Sequence, residues 1–159
     1  MKLAVAICIC AVMSTFVGSP LPAQGDPTPS AENAHRFVIA ILPDKFVGQS
    51  KGFGDFNKFQ IGRVDSSACS TTVYFSADPS KYVIDWKRVS GVSHQYYGSG
   101  ADNGTVVISA GISVVEPNGR TAFFDKIGFD TRSYGLMMRV EKAFEVLKKS
   151  CEPGGDLGF

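Results

Sequence analysis

The stretch from Thr105 to Phe129 constrains the fold more than any other part of the chain, because it predicts a long β-hairpin. The sequence Glu116-Pro117-Asn118-Gly119 divides it, with proline at the second turn position and glycine closing the turn. Apolar side chains alternate along the first arm, and the second arm places three more on one face. They are Val106, Ile108, Ala110, Ile112 and Val114, and then Phe123, Ile127 and Phe129. This alternation predicts an antiparallel sheet with one buried face.

Other apolar stretches predict further strands at Arg36–Leu42, Asn57–Val64, Ser70–Phe75 and Lys81–Val89. The first of these is a continuous apolar run that ends at Pro43, which we interpret as a buried strand. An amphipathic helix is predicted from about Thr131 to Ser150, with the apolar stripe Leu136, Val140, Ala143, Phe144 and Leu147. Strands come first and the helix last. The sequence therefore predicts a single α+β domain, with a bent or closed antiparallel sheet of five to seven strands and one C-terminal helix.

Three of these segments together resemble a PH-like domain: Tyr82–Val89, the long hairpin and the closing stretch Ala143–Leu147. The chain end, Lys149–Pro153 followed by Gly158 and Phe159, resembles that of small exported bacterial proteins of unknown function. The resemblance spans Lys81–Phe159 and implies a strongly bent sheet whose open end is closed by a C-terminal helix. It assigns no functional residue. Because Lys45 and Lys51 stand among acidic residues, it implies no phosphoinositide binding.

The first residues predict a secretory signal peptide over 1–23. Lys2 precedes the uncharged apolar run Leu3–Val17, and small, turn-forming residues lead to a cleavage site after Ala23. An uncleaved anchor is the alternative, but the run is shorter than the roughly 20 residues that cross a bilayer. We assign 24–35 to a flexible tail, 36–152 to the domain and 153–159 to a C-terminal tail. We expect an exported protein, periplasmic or extracellular, with no stable membrane insertion after cleavage.

Of the 4 cysteines, Cys69 and Cys151 lie outside the predicted signal peptide. In an exported chain two cysteines predict one disulfide, and two buried free thiols are the alternative. Cys151 extends the apolar stripe of the helix, and Cys69 directly precedes the strand Ser70–Phe75, so the bridge would join helix to sheet. Neither cysteine has a second ligand at zinc spacing, and we expect no metal and no cofactor.

Two stretches rich in glycine and aromatic residues predict contact loops, 43–57 and 94–104. Glycine permits unusual backbone angles, and aromatic side chains supply contact area at little cost in rotamer entropy. The candidate binding residues are Phe46, Phe53, Phe56, His94, Tyr96 and Tyr97. They predict a non-enzymatic binding module for a protein partner or an apolar small ligand. With 16 Lys and Arg against 15 Asp and Glu, the chain has no broad basic field and no nucleic-acid partner is expected.

His94 supports a different interpretation, an exported hydrolase in which it acts with a carboxylate from elsewhere in the fold. Ser93 would not pair with it on a strand, because adjacent side chains point to opposite faces. His35, the other of the 2 histidines, is interpreted as an exposed residue at the start of the first strand. A structural component of the cell envelope is the third interpretation.

Overall fold

Seven antiparallel strands form one sheet, in the order β4-β3-β2-β1-β7-β6-β5. The computed structural model describes residues 30–50, 57–96 and 104–153. The strands are β1 Val47–Ser50, β2 Asn57–Ser67, β3 Ser70–Phe75, β4 Lys81–Asp85, β5 Gly91–Tyr96, β6 Gly104–Val115 and β7 Thr121–Thr131. The helices are α1 Ala31–Lys45 and α2 Tyr134–Cys151, and a 3₁₀ turn spans Trp86–Arg88. The predicted α+β domain, with an antiparallel sheet of up to seven strands and a C-terminal helix, is confirmed.

Strand β6 has two different neighbours along one edge. Its first half pairs with β5, with Ser109 opposite Gly91, and its second half pairs with β4, with Ile112 opposite Ile84. The pairing shifts at a bulge where Ala110 and Gly111 have φ values of 63° and 70°. Strands β4 and β5 therefore run along β6 as one interrupted strand, with the 3₁₀ turn at the break. The β4–β6 pairing closes strands β1–β4, β6 and β7 into a ring.

Opposite this bulge, the side chains of β7 switch between the inner and the outer face of the sheet. The hairpin pattern places Phe123 on the inner face with Ile127 and Phe129, and for Phe123 this is wrong. Its side chain is 71% exposed, whereas the neighbouring Phe124 packs against the core. A bulge puts two residues opposite one and increases the local twist, so the side chains beyond it are reoriented.

The predicted C-terminal helix is present as α2. The side chain of Ser133 caps it by accepting a hydrogen bond from the N–H of Leu136 at 3.3 Å. The face towards the sheet is buried at Met137, Val140, Ala143, Phe144, Leu147 and Cys151. The ring of Phe144 lies 5.4 Å from both Trp86 and Phe129, measured between centroids. The helix thus covers the open side of the sheet with its apolar stripe.

The predicted strand Arg36–Leu42 is wrong, because these residues belong to α1. Ser30 caps this helix by accepting from the N–H of Asn33, and the helical spacing of Ala34, Val38 and Leu42 buries all three. Pro43 does not end the helix, since it lies in the last turn and costs only one backbone hydrogen bond there. Residues 31–35 consequently belong to α1 and not to a tail. The described part of the chain has two α-helices, and α1 packs on both α2 and β2.

The predicted disulfide is present between Cys69 and Cys151, whose Cα atoms are 5.5 Å apart. It joins the last residue of α2 to the turn between β2 and β3. A disulfide fits an oxidising, exported location. Within the described residues, no helix is long and apolar enough to cross a membrane.

We expect loss of the disulfide to lower the free energy of unfolding by about 2–4 kcal/mol, since the bridge closes a long loop in the unfolded chain. Urea unfolding of the oxidised protein and of the Cys69→Ala/Cys151→Ala variant measures the difference. Wild-type protein reduced before unfolding controls for the packing lost at the buried Cys151. Equal urea midpoints for oxidised and reduced wild type would contradict the expectation.

Candidate functional site

Of the six candidate binding residues, the structure describes Phe46, His94 and Tyr96. Phe46 is buried, with 1% of its surface exposed, so its assignment to a contact surface is wrong: it follows the last turn of α1 and fills the core. His94 and Tyr96 lie on β5 and not in a loop. Phe53, Phe56 and Tyr97 lie outside the described residues.

The described parts of the two predicted loops do not meet. Of the predicted loop 43–57, residues 43–45 belong to α1 and residues 47–50 to β1, and Ser50 pairs with Asn57 at the level of Ile127 of β7. Gly104, the last residue of the predicted loop 94–104, begins β6 and is level with Thr131. Four residues along a strand correspond to about 13 Å. Because β1 runs antiparallel to β7, it leads away from the Thr131 end. The described flanks therefore give no support to a single rim built from both loops.

A different group of side chains meets where β5 faces α2. We call His94, Tyr96, Tyr134 and Glu141 the tyrosine cluster. His94 and Tyr96 are two residues apart on β5, so they share a face. Tyr134 and Glu141 are seven residues apart on α2, which is about two turns and brings them to the same side of the helix.

The most buried contact of the cluster joins His94 to Glu141. The imidazole Nδ1 lies 2.9 Å and 2.8 Å from the two carboxylate oxygens, Oε1 and Oε2. The Glu141 side chain is only 13% exposed, and that of His94 is 31% exposed. A carboxylate accepts and cannot donate when ionised, so Nδ1–H donates and the imidazole is held in one orientation. The other ring nitrogen, Nε2, remains for a further contact.

The exposed part of the cluster consists of Tyr96 and Tyr134. Their ring centroids are 5.6 Å apart with planes 28° from parallel, and the two residues are 49% and 47% exposed. The ring of His94 meets Tyr96 edge-on at 5.2 Å. The hydrogen bond with Tyr134, together with partial desolvation and the charge of Glu141, raises the pKa of Tyr96 to about 12. The phenol is therefore neutral at physiological pH.

No pattern in the sequence singled out Tyr134 and Glu141. Both lie outside the apolar stripe of α2, and polar positions on a helix ordinarily face solvent. The available signal was their seven-residue spacing beside the stripe, but the sequence did not indicate that β5 is a strand lying against them. The sequence around His94 gave no reason to select Glu141 among the acidic residues as its partner.

A second hydrogen-bonded group lies beneath α1, far along the sheet from β5. His35 Nδ1 is 2.7 Å from Ser66 Oγ, which is 2.6 Å from Thr71 Oγ1, and Trp86 Nε1–H donates to Thr71 Oγ1 at 2.9 Å. His35 is thus part of a network and is only partly exposed, so its assignment as an exposed flanking residue is wrong. Burial lowers its pKa, and a hydrogen bond to the backbone of Ala68 partly offsets this.

Among residues 30–50, 57–96 and 104–153, no three His, Cys, Asp or Glu side chains are grouped so that they could hold a metal ion. His94 is hydrogen-bonded to the carboxylate of Glu141, and His35 to the hydroxyl of Ser66. The chemistry that these residues offer is hydrogen bonding, aromatic contact and proton transfer.

The lowered pKa of His35 predicts how stability depends on pH. The unfolded chain takes up the proton near pH 6.5, whereas the folded protein takes it up only at lower pH. The free energy of unfolding therefore falls as the pH drops from about 6.5 through the folded pKa. Urea unfolding between pH 4 and 8 should show a shallower dependence for His35→Gln than for the wild type. Parallel curves for the two proteins would rule out this contribution.

Comparisons of the chain with protein-family models, with curated proteins and with solved structures gave no match. The function is therefore inferred from the geometry of its own residues.

Proposed function

We propose that the protein is an exported interaction module that binds a protein partner through the tyrosine cluster. The observation that carries this proposal is the pair of stacked tyrosines, each about half exposed. Tyrosine is enriched in protein interfaces because it offers a large, rigid apolar surface with one polar group. A flat aromatic pair suits a protein surface better than an apolar small molecule, which binds in a concave site.

The polar groups of the cluster support the same proposal. His94 and Glu141 are already paired, and the rings of Tyr96 and Tyr134 are already stacked on each other. These contacts fix the side chains before a partner arrives, so binding costs little further rotamer entropy. Burying this surface leaves no new unpaired charge, because the one carboxylate in it already accepts from an imidazole.

The export part of the proposal is supported by the Cys69–Cys151 disulfide and by the signal-peptide pattern of residues 1–23. The PH-like architecture suggested by the sequence is supported by the strand order and by the way α2 covers the sheet. In that architecture β5 and α2 are the elements that present the tyrosine cluster.

One observation favours a second function, an exported hydrolase that uses His94. The Glu141 carboxylate on Nδ1 is the arrangement that orients a catalytic imidazole and stabilises its protonated form. Such an enzyme needs a nucleophile or a water at Nε2. Ser93 does not serve, since it is exposed on the opposite face of β5. The binding function therefore accounts for more of the cluster, including the two tyrosines.

Removal of both tyrosines should weaken partner binding strongly. The tagged protein is recovered from the exported fraction of its host, and native mass spectrometry records the mass that stays bound. We expect Tyr96→Ala/Tyr134→Ala to weaken this complex at least about 30-fold, corresponding to about 2 kcal/mol for a pair of central aromatic contacts.

The matched control is Phe123→Ala, which removes another exposed aromatic side chain from a different part of the surface. It should leave binding unchanged. A complex that survives in the double tyrosine variant, or the absence of any complex with the wild type, contradicts the proposed function. Turnover of a substrate that disappears in His94→Gln while binding is retained would favour the hydrolase.

A further inference from the structure

The hydrogen-bonded group under α1 opens onto a depression of about 530 Å³. Its walls come from α1, the turn between β2 and β3, and the end of α2. His35 and Ser66 both line it and both are partly exposed, so a molecule in the depression can reach them. The site shares no residue with the tyrosine cluster.

The donors and acceptors fix the direction of the hydrogen-bond chain. The indole of Trp86 can only donate, so Thr71 Oγ1 is the acceptor of that bond. Thr71 is fully buried, and its own proton is satisfied by donating to Ser66 Oγ. In the neutral tautomer of His35 that carries its proton on Nε2, Nδ1 is an acceptor and Ser66 donates to it. The reverse direction would leave the buried Thr71 proton without the acceptor that Ser66 provides, which is costly.

This direction gives Ser66 and His35 the relationship of a nucleophile and its base. In that tautomer Ser66 Oγ lies 2.7 Å from an imidazole nitrogen that can take its proton. The hydroxyl of Thr71 donates to Ser66 Oγ and would stabilise negative charge as it develops on that oxygen. The imidazole is in turn held by the backbone of Ala68, whose φ of 46° lies in the left-handed region. Such strain is concentrated at functional sites in proteins.

We propose that Ser66 is the nucleophile of a hydrolytic site for small, neutral acyl esters, with His35 as its general base. In the first step Ser66 Oγ bonds to the ester carbonyl carbon, and its proton passes to His35 Nδ1. The imidazolium returns this proton to the departing alcohol as the ester C–O bond breaks. Water then attacks the carbonyl carbon of the acyl-serine while His35 takes a proton from it. The acyl C–Oγ bond breaks, the carboxylic acid leaves, and the imidazolium returns the proton to Ser66 Oγ.

The lining of the depression selects the substrate class. Ala31, Ile39, Ala68 and the disulfide supply apolar surface, and Ile39 is 40% exposed there. The charged side chains on the wall are Glu32 and Arg36, and they form an ion pair with each other. A short acyl chain fits such a wall, and a neutral ester needs no further charge to balance it.

The test uses the full-length oxidised protein and a fluorophosphonate, which reacts with activated serines by losing fluoride. Mass spectrometry should find one adduct, on Ser66. Ser66→Ala should abolish it, and His35→Ala should slow it about 100-fold, as expected when a general base is lost. Hydrolysis of p-nitrophenyl butyrate should fall by a similar factor in both variants. Ser93→Ala, which removes an exposed hydroxyl on β5 outside the depression, should change neither rate.

A second set of measurements separates this role from a purely structural one. Thr71 acts through Ser66 as a positioning residue, so Thr71→Val should slow the adduct and Thr71→Ser should restore it. Near-ultraviolet circular dichroism confirms that each variant is folded. No adduct on Ser66 in the folded wild type, an unchanged rate in folded His35→Ala, or labelling without ester turnover would each overturn the proposal. None of these outcomes bears on partner binding by the tyrosine cluster.

Discussion

The fold depends on the close approach of β6 to the chain segment between β4 and β5. At Gly111 a Cβ atom would lie 2.7 Å from the carbonyl oxygen of Asp85 and 2.9 Å from the backbone nitrogen of Val89. Real side chains do not tolerate such distances to backbone, so glycine is required. The bulge lets one long strand serve two partners in succession, and the β4–β6 pairing is what closes the sheet.

Both candidate sites follow from this closure. The 3₁₀ turn after β4 places Trp86 in the core, where its indole donates a hydrogen bond to Thr71. Thr71 in turn is hydrogen-bonded to Ser66, which contacts His35. Strand β5 begins after the same turn and carries His94 and Tyr96 to α2. Each site lies at the edge of an interface between one helix and the sheet. Side chains there are fixed by packing on one side and reach solvent on the other, which suits binding and proton transfer.

Local patterns in the sequence predicted the elements whose side chains alternate or repeat regularly. The hairpin β6–β7, strand β3 and helix α2 are of this kind. The Cys69–Cys151 bridge was predicted because an exported chain with two cysteines outside its signal peptide is expected to pair them. Helix α1 was not predicted, because its apolar run at Arg36–Leu42 also fits a strand. Only the helical spacing of the residues that become buried distinguishes the two. Strand β5 was not predicted, because it is formed by pairing with β6 up to the bulge, and this pairing is a tertiary contact. The partners of His94 and His35 lie 47 and 31 residues away, and no local pattern records them.

The most direct measurement compares the stability of Gly111→Ala with that of Gly119→Ala. Both glycines have positive φ, 70° and 84°, so alanine meets the same backbone penalty of about 1 kcal/mol at each. At Gly119 no atom of the described residues lies within 4 Å of the added Cβ, whereas at Gly111 it meets the backbone of Asp85 and Val89. Closure through the bulge predicts that Gly111→Ala loses about 2–4 kcal/mol of unfolding free energy in urea, well above the loss at Gly119. Equal losses at the two positions would contradict it.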